Sequence, residues 1–354
     1  MKKKENLHKF SSVVKTSVVV FASLLFSSCV KDRPKAAVEE PVQTPAATKR
    51  VFILNEGNFG SGNSSVSEYN TDNDQLIDDY YKAQNSTLMG DVAQSMAKFN
   101  GKFYLVINNS SKILVCDSLM KKIAEMGGLN APRYILPVSN DKAYVSVLFA
   151  NGVHVLDLNT NSKKGSIPFS GWTEQMVLAH DKAFITNPGG NYTYVVNTLS
   201  DAVEDSVYVG PGGGSIVIDR TDNVWVLSAG DQKNSIPARL TKFSSTAIHA
   251  STSATLTNYW NGNLCVNRTK DTLYFLNTDV FRLSITDVTI HPTIFVAAGT
   301  KSFYGLGVNP NDFRVYVSDA IDYSQRSSIY VYDVLGNQKK TFKAGINSNS
   351  FYFE

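Results

Sequence analysis

Catalysis needs a converging set of acid, base, nucleophile or metal ligands, and this chain is thin in all of them. Its 354 residues include only five histidines. His8, His154, His180, His249 and His291 sit at no metal-ligand spacing, and no His–Glu pair recurs along the chain. No Gly-x-Ser-x-Gly elbow occurs. Gly210-Pro-Gly-Gly-Gly214 lacks the Lys-Ser/Thr that follows in a phosphate loop, and reads as a tight connection. Asn70-Thr-Asp-Asn-Asp74 starts like a calcium loop but has no terminal Glu, and reads as a turn. Cys116 and Cys265 fall inside strand-like segments and are expected to be buried free thiols. The sequence therefore predicts a protein that is not an enzyme, with no metal and no cofactor.

What remains is a supply of amides and aromatics, and a repeating set of elements to position them. The repeat is a short strand, a tight turn, a strand rich in Tyr, Phe and Val, a polar loop, and two further strands. Examples of the second and third strands are KFYLVINN with KILVCDSL, KAYVSVLF with GVHVLDL, KAFITN with YTYVVN, and DFRVYVS with SIYVYD. The period is roughly 40 to 50 residues, the size of a four-stranded propeller blade. Asn100-Gly101, Asn140-Asp141, His180-Asp181, Thr221-Asp222 and Lys270-Asp271 mark the turns before the second strands.

Six units are complete and a seventh is split. Val51–Asn55, Ser65–Tyr69 and Gln75–Tyr81 read as its second to fourth strands, and Ser350–Glu354 (SFYFE) supplies its first. The prediction is an all-β, seven-bladed β-propeller closed by pairing the two chain ends in one blade, which removes an open sheet edge. Helical periodicity is nearly absent, with at most a short helix in Ser86–Phe99 before that segment continues as a strand.

In a propeller, the loops after each second strand and those joining blades share one face around the axis. Here they carry Asn, Asp, Tyr and Trp and almost no Lys. Half of the asparagines are turn formers. The candidate ligand-binding residues from the first half of the ring are Phe59, Asn85, Asn109, Arg133, Tyr134 and Trp172. Asn187, Tyr192, Asp231, Trp260, Asn277, Tyr304, Asp319 and Tyr323 complete the set. Aromatic platforms beside amides suit a large, neutral, amphiphilic ligand better than a small ion.

The N-terminus reads as an address. Five lysines open residues 1–28, followed by the uncharged run TSVVVFASLLFSS and then Cys29. Leu25-Phe-Ser-Ser-Cys29 resembles a bacterial lipobox, so residues 1–28 are expected to be a lipoprotein signal peptide and Cys29 the lipidated residue. Residues 29–50, rich in Pro, Ala, Thr, Glu and Lys, are then a tether, and 51–354 the propeller. The formal charge of +3 falls to −1 once the signal's five lysines and Glu5 are removed. A near-neutral domain without a basic run argues against nucleic acid as a partner.

Val51-Phe-Ile-Leu-Asn-Glu-Gly-Asn-Phe-Gly60, Ser64-Ser-Val-Ser67 and Ala93-Gln-Ser-Met-Ala97 resemble the propeller lipoproteins of gut Bacteroidota. These include the BtuG-type proteins that capture cobalamin at the cell surface. The resemblance implies an outer-membrane, lipid-anchored and surface-exposed protein. It implies cobalamin or a related corrinoid as ligand, and a TonB-dependent cobalamin transporter as partner. It carries no individual binding residue. The residues alone leave open a scaffold for protein or glycan, and an enzyme of the lactonase or lyase kind built on the same fold.

Overall fold

The second strand of each blade is a run of buried apolar residues, as in Val51–Leu54, Phe103–Ile107 and Leu273–Leu276. Such runs suit a sheet covered on both faces by neighbouring sheets. The computed structural model describes residues 47–259, 262–287 and 289–354. Those residues form seven antiparallel four-stranded sheets arranged as a β-propeller. Six blades are continuous in sequence. The second to seventh start at Ala93, Pro132, Met176, Gly213, Leu264 and Phe303. Among the described residues, no helix is long and apolar enough to cross a membrane. The expected signal peptide, tether and lipidated Cys29 lie outside the described residues, apart from the tether's last four positions. Strand structure begins at Arg50, and Thr48 is already buried.

The first blade is the split one. Its sheet order places Ser348–Phe353 innermost, followed by Arg50–Asn55, Ser65–Asn70 and Leu76–Ile77. Val51 faces Phe353 and Ile53 faces Phe351 across the joint. The Glu354 carboxylate lies against Arg50 and Lys98, and its backbone oxygen accepts from the N–H groups of Lys49 (2.8 Å) and Arg50 (3.0 Å). The C-terminal residue is thus held at both main chain and side chain.

Apolar side chains fill the wedges between blades. Phe52 meets Phe103 edge-on at 5.5 Å between the first and second blades. Tyr316 meets Phe353 at 5.2 Å where the seventh blade joins the first. The turn at Asn100-Gly101 has both residues at positive φ (48° and 72°), the backbone a two-residue hairpin requires. Cys116 and Cys265 are free thiols, the first buried and the second half-buried, and burial pushes each up to about 12.

Two local expectations are corrected. Gln75–Tyr81 does not form a full fourth strand. Only Leu76–Ile77 pairs, and a helix follows at Tyr80–Asn85. The Asp79 side chain caps its first turn by accepting from the Lys82 N–H at 3.0 Å. Tyr80 and Tyr81 then bury themselves in the cluster around Phe52 and Phe103. The short helix expected within Ser86–Phe99 is therefore displaced upstream, and Ala93–Phe99 is strand.

Deleting residues 350–354 should expose the edge of Arg50–Asn55 and open the ring. The truncated chain should lose more than about 5 °C of melting temperature or aggregate, as read by calorimetry and light scattering. A monomer melting with the parent would contradict end-to-end closure.

Candidate functional site

Each blade starts its innermost strand at the loop face, beside the central axis. The residues at those starts meet one another around the channel. Gln94, Arg133, Ser215, Asn263, Tyr304 and Asn349, with Glu174 and Gln175, represent all seven blades. They line a cavity of about 420 Å³, open to the loop face.

A chain of hydrogen bonds runs through this belt. Tyr304 Oη donates to Glu56 Oε2 (2.7 Å), and Asn349 Nδ2 donates to Glu56 Oε1 (2.8 Å) and to the Gln94 carbonyl (2.8 Å). Arg133 grips Glu174 with two prongs, Nε to Oε2 at 2.8 Å and Nη2 to Oε1 at 2.6 Å, and also donates to the Gln94 side chain. Gln175 donates to Tyr134 Oη (3.4 Å) and accepts from Ser215 Oγ (2.7 Å). Ser215 Oγ also accepts from the Leu264 N–H at 2.9 Å. Asn263 Nδ2 closes the circuit on the Asn349 carbonyl at 2.8 Å.

The electrostatics follow from burial. Loss of solvent raises the Glu56 carboxyl above the usual range, while the donors Tyr304 and Asn349 and the charge of Arg133 pull it back. Burial alone would lower Arg133, but the Glu174 carboxylate holds its guanidinium firmly protonated. Burial, with Glu174 nearby, pushes the Tyr134 phenol up to about 12. Burial raises Tyr304 too, with Glu56 beside it.

The expected site residues divide into groups. Arg133, Tyr134, Trp172 and Tyr304 line the cavity. Tyr323 packs edge-on against Tyr304 at 5.7 Å, half exposed at the rim. Phe59 is 79% exposed on its loop, and Tyr192 meets Tyr208 edge-on at 5.6 Å. Asn109, Asn187, Asp231, Asn277 and Asp319 lie at the loop ends of strands or in the loops, and most of their visible bonds are local braces. Asn187 donates to the Ser170 carbonyl at 2.8 Å, Asp231 binds Asn234, and Asp319 accepts from the N–H groups of Ser302 and Ile321. Asn277 is fully buried. Asn85 sits elsewhere, packed on the turn Met120–Lys122 at the opposite face, where it donates to the Met120 carbonyl and accepts from the Lys122 N–H. Trp260 lies outside the described residues.

Glu56, Gln94, Glu174, Gln175 and Asn349 were not among the candidates. Gln94 and Asn349 carried a positional signal, a polar residue second in the innermost strand; Glu174 and Gln175 just precede such a strand, and Glu56 follows the second strand of the first blade. Phe149, Tyr208 and Tyr259 add to the aromatic set. All seven strongly exposed aromatics among the described residues belong to the loop face: Phe59, Phe149, Trp172, Tyr192, Tyr208, Tyr259 and Tyr323. The opposite face exposes aliphatic side chains, including Leu119, Leu199 and Leu335. His154 is buried in its strand with Nδ1 3.1 Å from Ser166 Oγ, away from the cavity. Among the described residues, no group of three or more His, Cys, Asp or Glu is arranged to hold a metal.

Residues 49–354 match the sequence family described as "Domain of unknown function (DUF5074)". No curated protein matches the chain. Solved structures with a similar fold include a quinonprotein alcohol dehydrogenase-like protein from Bacteroides thetaiotaomicron, at 15% identity and a TM-score of 0.70, covering 86% of this chain and 78% of that one. The periplasmic gluconolactonase of Pseudomonas aeruginosa matches at 12% identity and 0.64, covering 86% and 99%. A protein from Lactobacillus plantarum matches at 12% and 0.65, covering 87% and 100%. At such identities the likeness is one of fold alone.

Arg133→Met should leave Glu174 buried without its cation and destabilise the fold by about 3 kcal/mol in urea unfolding. Adding Glu174→Leu should restore most of that loss. A single variant within about 0.5 kcal/mol of the parent would show that the pair holds nothing.

Proposed function

The chain belongs to the DUF5074 family, and from the geometry of its loop face we propose that it is a binding protein rather than an enzyme. In this reading it captures cobalamin or a related corrinoid and passes it to an outer-membrane TonB-dependent transporter. Cys29 supplies the lipid anchor, and the protein faces the cell exterior.

One observation carries the reading. Every strongly exposed aromatic side chain among the described residues lies on the face where the channel opens, and the opposite face has none. Exposed aromatic rings cost solubility unless a ligand uses them. A corrin is a broad apolar plate rimmed by amide arms. Rings of the kind presented by Phe59, Trp172, Tyr192 and Tyr323 suit the plate, and the belt of Gln, Asn and Tyr around the mouth suits the arms. The cavity of about 420 Å³ is near the small end for ligand pockets, so the plate lies across the mouth rather than inside it. The resemblance of Val51–Gly60 and Ala93–Ala97 to BtuG-type proteins supports the same ligand. The burial of His154 supports a mode in which cobalamin keeps its own lower base.

The test is calorimetry with cyanocobalamin, alongside its visible spectrum. Binding at micromolar concentrations with an unshifted spectrum is expected. Trp172→Ala should weaken binding by about 2 kcal/mol, roughly thirtyfold. Absence of heat and of retention on gel filtration would remove the corrinoid. Retention of a glycan or a protein instead would make the face a scaffold.

A further inference from the structure

Inside the mouth, below the exposed rings, the channel has a chemistry of its own. Among the described residues, its only charged lining residues are Glu56, Arg133 and Glu174. Arg133 and Glu174 neutralise each other through their two-pronged contact. Glu56 makes no ion pair among the described residues. Its partners are neutral, one donor on each oxygen from Tyr304 and Asn349. A carboxylate has about four acceptor positions, so each oxygen keeps capacity. The nearby amides have spent donors on the protein: Asn263 on the Asn349 carbonyl, and Gln175 on Tyr134. With Glu56 ionised, the cavity holds one uncompensated negative charge and spare acceptors. Its walls include the rings of Tyr134, Trp172, Tyr304 and Phe351. Ring faces attract cations within about 6 Å, and more strongly when desolvated.

We propose that the mouth of the channel binds an organic ammonium group, with the Glu56 carboxylate as counter-ion and the rings of Tyr134, Trp172 and Tyr304 as its walls. This site lies inside the mouth, below the plate of the corrinoid reading, and shares Trp172 and the polar belt with it. A neutral carboxamide is the other N–H donor that the same carboxylate would accept. The cation is preferred because it alone cancels the charge.

A pH signature follows. Burial raises Glu56, Glu174 adds to the rise, and Tyr304, Asn349 and Arg133 oppose it. An ammonium binds the ionised carboxylate, so affinity rises as pH increases through the folded pKa of Glu56 and levels off above it. Tyr304→Phe removes a donor that favours the carboxylate, and should move that midpoint to higher pH.

The experiment titrates benzylammonium, benzamide and benzoate into the full chain by ligand-observed NMR, with melting curves for every variant. Benzylammonium should bind in the millimolar range or tighter, as its size allows, with benzamide weaker and benzoate excluded. Glu56→Gln keeps the shape and removes the charge. It should weaken benzylammonium by about tenfold or more and change benzamide by less than about threefold. Benzoate binding as well as the amine, an unchanged amine affinity in Glu56→Gln, or no binding by any probe would overturn the proposal. Benzamide binding more tightly than benzylammonium would also overturn it, in favour of a neutral donor. Cyanocobalamin is titrated into the same preparation. Its retention without amine binding removes only this site, and amine binding without its retention removes only the corrinoid.

Discussion

The structure depends on one pairing, the C-terminal strand Ser348–Phe353 against Arg50–Asn55. A propeller is a ring of sheets each covered by its neighbours, and a ring left open exposes one apolar blade face and one strand edge. Closure here is redundant. It combines backbone pairing, the Phe351 and Phe353 rings against Tyr316, and the Glu354 carboxylate between Arg50 and Lys98. Buried Asn55 adds a polar clasp, accepting from Ser348 Oγ at 2.6 Å and donating to Ser67 Oγ at 3.0 Å. The same strand also builds the site. Asn349, its second residue, places an amide against Glu56 and against the Gln94 carbonyl in the next blade. Closing the ring and shaping the channel mouth are thus one event.

The two faces of the ring follow different rules. On the turn face, short hairpins satisfy themselves with Asn, Asp and Gly, and exposed apolar groups are aliphatic. On the loop face, every strongly exposed ring among the described residues lies in a connection or at the strand end it joins. Beneath those rings the channel is polar and internally bonded. In the proposed reading, a polar belt below aromatic rings divides the work of recognition. Rings supply contact area, and fixed polar groups set orientation.

Much of the fold was legible in the sequence because blades repeat. The alternation of VFILN and SFYFE at opposite ends of the chain pointed to a shared blade, and strand pairing bears this out. The helix Tyr80–Asn85 was harder to read. Two adjacent tyrosines favour a strand by propensity, and only the Asp79 cap and the apolar wedge beside Phe52 decide for a helix. The site was partly legible. Arg133, Tyr134, Trp172 and Tyr304 fell in the right loops and meet at the mouth. Glu56 stood in the same run as Asn55 and Phe59, yet its partners Tyr304 and Asn349 lie 248 and 293 residues away. No local pattern marks such a contact. Asn85 looked like its neighbours in the connecting loops, but the helix carries it down to the turn face.

The central claim is that the loop face is where the ligand sits. Hydrogen exchange of the full chain with and without cyanocobalamin tests it most directly. Protection should appear in residues 56–64, 148–151, 186–192 and 320–324, and the turns at 117–121 and 198–201 should exchange as before. Protection confined to those turns, or an exchange map that the ligand leaves unchanged, would contradict it.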